Sequence, residues 1–61
     1  MYRVIEIYRL VGSYMRTDKE TYFLTKFMAK LYYSKVYKKN DYTAIEEKFA
    51  DKWVVVVKNV N

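Results

Sequence analysis

Residues 53–60 read WVVVVKNV, and this stretch decides the fold because it contains four consecutive valines. Valine is β-branched, so its side chain is stiff and suits the pleated surface of a strand. Apolar residues on both sides of one strand favour a strand that is at least partly covered on both faces. Lys52 and Lys58 flank the valines, which is typical of charges that guard an apolar strand against aggregation. The stretch therefore predicts a strand within a small sheet.

The segment before it, residues 42–51, is compatible with two structures. It opens with the pattern of a helix capping box, and Ile45 and Phe49 are one helical turn apart. The same residues can also be assigned to a strand with alternating faces. We favour the strand, because the valine strand would otherwise be poorly paired. A helix is the alternative.

The first part of the chain predicts a β-hairpin. Residues 2–11 are rich in Tyr, Ile and Val and show no helical stripe, which favours a strand. Residues 12–19 contain the only glycine, Gly12, and form the predicted turn. Residues 20–24 then return as the second strand of the hairpin.

A helix is predicted over residues 26–39, where apolar side chains recur at helical spacing and Thr25 is placed to cap the first turn. The stripe expected to face the sheet consists of Phe27, Met28, Leu31, Tyr32 and Val36, with Leu24 just before it. The predicted fold is a single α+β domain, residues 1–61. It is a small two-layer β-β-α-β-β structure, with one helix packed on an antiparallel or mixed sheet.

The composition argues against several function classes. The chain has 61 residues with neither Cys nor His, the residues on which zinc and most transition-metal sites draw. A Ser or Thr nucleophile would lack a histidine base, and so small a domain can hardly form a cleft between two carboxylates. We therefore expect no enzyme activity, no catalytic residues, no metal and no cofactor. Without a disulfide or a metal, a small core is expected to need a partner subunit or unusually good packing.

The longest apolar run also bears on location. It covers only residues 53–57, whereas a membrane-spanning helix needs about 20 apolar residues. Near the start of the chain, Arg3, Glu6 and Arg9 interrupt any apolar run of the secretory kind. We expect a cytoplasmic protein without a membrane partner.

The sheet face turned away from the helix is the first candidate surface. We expect Ile5, Ile7 and Val11 to face the helix, which turns the alternate residues of that strand outward. No second layer is predicted to cover them, and an exposed apolar and aromatic patch usually marks a protein interface. The candidate interface residues are Tyr2, Val4, Tyr8, Leu10 and Trp53. The expected partner is another protein, either a second copy or a different chain.

The second candidate surface is one side of the helix, where Lys26, Lys30, Tyr33 and Tyr37 fall within about 60° of each other. Lysine can contact phosphate and tyrosine can stack on bases, and the net charge is +5. This surface predicts binding to nucleic acid or to an acidic partner. A plain solvated face, with tyrosine rings lying on lysine stems, is the alternative.

The length and composition of the chain give one broader expectation. It is short, basic and rich in Tyr and Lys, and its composition indicates an AT-rich gene. Such chains resemble accessory proteins of phages or mobile elements, although no motif ties this one to a family. The resemblance implies a non-enzymatic regulator or inhibitor that binds a host protein, with nucleic-acid binding through the helix as the alternative.

Overall fold

The computed structural model describes residues 1–9 and 17–61. It confirms the α+β class and the element order β-β-α-β-β. The elements are β1 Tyr2–Ile7, β2 Lys19–Phe23, α1 Lys26–Val36, a 3₁₀ turn Tyr37–Lys39, β3 Tyr42–Phe49 and β4 Lys52–Val60. Leu10, Val11 and most of the predicted turn, including Gly12, lie outside the described residues.

The four strands form one sheet in the order β2-β1-β3-β4, and each neighbouring pair is antiparallel. The mixed sheet, kept as an option by the sequence, is therefore ruled out. Residues 42–51 begin with a strand rather than a helix, as favoured above. A two-residue turn joins β3 to β4, and Ala50 in this turn adopts a positive φ of 55°.

The helix α1 begins at the residue that the sequence predicts. Thr25 has an extended backbone, and its hydroxyl accepts a hydrogen bond from the N–H of Met28 at 3.2 Å. This bond satisfies one of the early N–H groups that a helix leaves without a partner. The helix ends at Val36, three residues before the predicted end, and continues as the 3₁₀ turn.

The helix packs on the sheet with a different stripe from the predicted one. Ala29 is fully buried against Val4 and Ile45, and the half-buried residues packed around them are Tyr2, Phe23, Tyr32, Tyr33, Val36 and Val57. Tyr32 and Val36 were predicted correctly, whereas Phe27, Met28 and Leu31 were wrongly assigned to the core. The small side chain of alanine at this buried position lets the helix lie near the sheet.

Strand β1 also has the opposite orientation from the predicted one. Val4 and Glu6 point to the helix, and Ile5 and Ile7 point to the other side. Glu6 is tolerated in the interior because its carboxylate accepts hydrogen bonds from the Tyr32 hydroxyl at 2.7 Å and from the side chain of Asn40 at 3.1 Å.

The sheet face away from the helix, called the open face below, is less exposed than expected. Ile5 and Ile7 expose only 6% and 3% of their surface, and Ala44 is fully buried. The burial of Ile5 and Ile7 was predicted, but on the helix side of the sheet. The expectation that the face away from the helix is left uncovered is wrong at these three positions.

Candidate functional site

An ordered cluster of charged and aromatic side chains lies on the open face, centred on Arg3 of β1. The guanidinium donates to Glu46 on β3 at 2.6 Å and to Glu20 on β2 at 3.3 Å. The Tyr22 hydroxyl donates to the same Glu20 oxygen at 2.7 Å. Register places these residues together, because Arg3 pairs with Tyr22 on one side and with Glu46 on the other.

Trp53 completes this cluster from the far strand. Its ring lies 4.2 Å from the Arg3 guanidinium carbon and contacts the Tyr22 ring edge-on, with centroids 5.9 Å apart. Lys48 lies on the same ring at 5.8 Å. One indole thus links all four strands through cation–π and aromatic contacts.

The electrostatics of the cluster favour a charged Arg3. Burial disfavours the charge, but hydrogen bonds to Glu46 and Tyr22 and the charges of Glu46 and Glu20 outweigh it and raise the pKa of the guanidinium. The donors and acceptors of the cluster thus satisfy one another, which suits a role in holding the strands together.

The predicted interface residues are not brought together. Val4 is fully buried and Tyr2 packs against the core, so their expected exposure on the open face is wrong. Tyr8 is exposed just beyond β1, Trp53 is half-buried in the Arg3 cluster, and Leu10 lies outside the described residues.

Four large exposed apolar side chains lie together on a different surface. Leu24, Phe27, Met28 and Leu31 expose 82%, 70%, 51% and 46% of their surface. Their spacing is i, i+3, i+4 and i+7, and the last three lie on α1 away from its buried side. We call these four residues the apolar ridge.

Sequence reasoning placed the apolar ridge in the core, and a signal was present that contradicts this placement. The helix carries two apolar stripes, the ridge and the stripe that contains Ala29, Tyr32, Tyr33 and Val36. A single sheet face can bury only one of them. One stripe therefore had to remain outside.

The predicted basic and aromatic helix surface is only partly formed. Lys26 and Lys30 are exposed, but Tyr33 packs against the core, so its outward orientation is wrong. Tyr33 and Tyr37 stack on each other, with centroids 5.6 Å apart and planes 10° from parallel. Burial, followed by the nearby Tyr37 and Tyr42, raises the pKa of Tyr33.

No three carboxylates in residues 1–9 and 17–61 meet in a group that could hold a metal ion. In the same part of the chain, no helix combines the length and the apolar composition needed to cross a membrane.

Comparison with known proteins found no match to this chain among family models, curated proteins or solved structures.

Proposed function

We propose that this chain is a small non-enzymatic protein-binding module, a regulator or inhibitor, and that its contact surface is the apolar ridge. The observation that carries the proposal is the exposure of four large apolar side chains, from 46% to 82%, three on one surface of α1 and Leu24 just before the helix. Small monomeric proteins seldom expose contiguous apolar surface of this kind, except where it contacts a partner.

The spacing of the ridge supports this mode of binding. Helices that dock into a groove on another protein present anchors at i, i+3, i+4 and i+7. Phe27, Met28 and Leu31 on α1 have the spacing of the last three of these anchors, and Leu24 lies just before the helix. Burying a Leu, Phe or Met side chain contributes about 1.5–3 kcal/mol before the costs of association. A few such anchors are enough for a specific complex.

The open face is a weaker candidate for the same function. Its isoleucines are already buried, and Trp53 is engaged by Arg3, Tyr22 and Lys48. Tyr22, Val55 and Val60 are exposed there, but a partner would have to displace the existing contacts of Tyr22 and Trp53 to cover this face.

Site-specific photo-crosslinking tests the proposal. A photoreactive phenylalanine analogue replaces Phe27 on the ridge in one variant and Tyr22 on the open face in another, in the cells that express the protein. We expect a discrete crosslinked protein from position 27 and none from position 22. Adducts from position 22 alone would contradict the proposal.

A matched pair of substitutions provides the control. Leu31→Asp should abolish the crosslink from position 27, because it places a charge among the anchors. Val55→Asp makes the same kind of change on the open face and should leave the crosslink intact. The two side chains are similarly exposed, Leu31 at 46% and Val55 at 44%. Circular dichroism of both variants checks that the fold is retained.

A further inference from the structure

The charges of the helix layer are all of one sign. Between Glu20 and Asp41 the sequence contains no acidic residue, whereas the helix and the 3₁₀ turn carry Lys26, Lys30, Lys35, Lys38 and Lys39. These five lysines match the net charge of +5 for the whole chain. The surface around the ridge is therefore positively charged.

Three of the seven carboxylates of the chain are engaged away from these lysines. Glu20 and Glu46 pair with Arg3 on the opposite side of the sheet, and Glu6 is buried under Tyr32. Both salt bridges among the described residues are formed by Arg3, so in that part of the chain no helix lysine has an ion-pair partner.

The lysines border the apolar ridge itself. Lys30 follows Phe27 by three residues and Lys35 follows Leu31 by four, so each lies one turn from a ridge side chain. All three helix lysines, Lys26 included, are exposed. A partner that covers the ridge must therefore also contact or desolvate these charges.

This arrangement selects among the proteins that could cover the ridge. A second copy would bring two sets of helix lysines together, and like charges across an interface oppose binding. A groove with a neutral border would desolvate the lysines without compensation. Carboxylates along the border would instead form complementary pairs with them.

We infer that the partner of the ridge is an acidic protein segment, which presents an apolar contact surface bordered by Asp and Glu. The partner is not a second copy of this chain. The inference rests on the proposed function and specifies the chemistry of the partner.

A displayed library of random peptides tests the inference. Peptides are selected on the immobilised full-length chain, with counter-selection on the Leu31→Asp variant so that only ridge binders remain. We expect the selected peptides to combine large apolar residues with an excess of Asp and Glu over the starting library. Ridge binders without that excess would overturn the inference and leave the proposed function standing, whereas no ridge-dependent peptide would count against the proposed function.

Affinities of a selected synthetic peptide supply the second measurement. Lys30→Glu should weaken binding about three- to tenfold, since it replaces an attraction at the border with a repulsion. The matched change Lys58→Glu, on the open face, should have no effect. Binding should also weaken several-fold between about 50 and about 500 mM salt. Equal effects of the two substitutions would overturn the inference.

Three further measurements test the other molecules that could bind the ridge. Sedimentation that shows a dimer of the wild-type chain, lost on Leu31→Asp, would overturn the inference in favour of self-association. Ridge-dependent binding to phosphatidylglycerol vesicles, without any peptide binding, would overturn it in favour of an anionic lipid surface. Binding to duplex DNA that is lost on Lys30→Glu but kept on Leu31→Asp would overturn it in favour of nucleic acid. We expect none of these three results.

Discussion

The open face lies on the side of the sheet that α1 does not cover, yet Ile5 and Ile7 are buried there. The apolar ridge lies on a helix that is packed against the sheet, yet Phe27 and Leu31 remain in solvent. Position relative to the helix is thus a poor guide to exposure in this domain. The open face also carries the Arg3 cluster, which links all four strands.

The difference in exposure between the open face and the apolar ridge indicates which region stabilises the fold and which is available for binding. In a chain of 61 residues each buried apolar side chain is a large part of the total stability. Leaving four large apolar side chains exposed forgoes this stabilisation and is hard to explain by folding alone. The open face then contributes to stability, and the ridge is available for a partner, as proposed above.

The largest expected effect comes from truncating the two regions in parallel. Ile7→Ala should destabilise the fold by about 2–5 kcal/mol, because it leaves a cavity at a buried position. Leu31→Ala should change stability by no more than about 0.5 kcal/mol, because its side chain is exposed. Urea unfolding followed by circular dichroism measures both.

A milder substitution covers the case in which Ile7→Ala does not fold. Ile7→Val should cost about 0.5–1.5 kcal/mol. If Leu31→Ala proved as costly as Ile7→Val, the ridge would have to be packed in solution, and the contrast between the two regions would fail.

The helix shows how far a sequence pattern can be used. Its position, its cap at Thr25 and its amphipathic character were predictable because they depend on neighbouring residues. The choice between its two apolar stripes was not, because it depends on contacts with distant strands. Ala29 meets Val4 and Ile45, and no local signal links them.

Strand β1 was misoriented for a similar reason. Alternation defines two faces but not which one is inside, and a shift of one residue exchanges them. Isoleucine suggested one answer, whereas the structure buries Val4 and Glu6 under the helix. Glu6 can be buried only because Tyr32 and Asn40, distant in sequence, hydrogen-bond its carboxylate. The Arg3 cluster was missed because it needs the register of all four strands.

The next largest effect should come from the Arg3 cluster, which tests whether the open face is a stabilising layer. Arg3→Ala should destabilise the fold by about 1–2 kcal/mol, since it leaves the partly buried Glu46 carboxylate without its partner. In a double-mutant cycle with Trp53→Ala, the coupling energy should be about 0.5–1 kcal/mol, as for a partly exposed cation–π contact.

Glu20→Gln serves as the control for this cycle. Glu20 lies farther from the guanidinium than Glu46, at 3.3 Å, and is more exposed, so its change should cost less than about 0.5 kcal/mol. Strictly additive effects of Arg3→Ala and Trp53→Ala would mean that the two side chains do not interact in solution, and the open face would lose its assigned role.

The smallest expected effect concerns alkaline pH and compares a tyrosine on each side of the sheet. Burial raises the pKa of Tyr33, on the side of α1 that faces the sheet, and of Tyr42, on the open face, above the ordinary value of 10.0. The folded chain therefore holds these protons more tightly than the unfolded chain. The resulting stability is fully present below about pH 10 and is lost as the pH rises through the folded pKa values.

Removing the hydroxyl group of either tyrosine should reduce the loss of stability at high pH. Tyr33→Phe and Tyr42→Phe should each flatten the fall of the urea midpoint above about pH 10, while Leu31→Ala, which removes no titrating group, should leave its slope unchanged. A similar flattening by both phenylalanine variants is expected, since burial is the main cause of both pKa shifts. If only Tyr33→Phe flattened the profile, Tyr42 would be solvated in the folded chain. The open face would then be less closed than the burial of Ile7, its neighbour across β1 and β3, indicates.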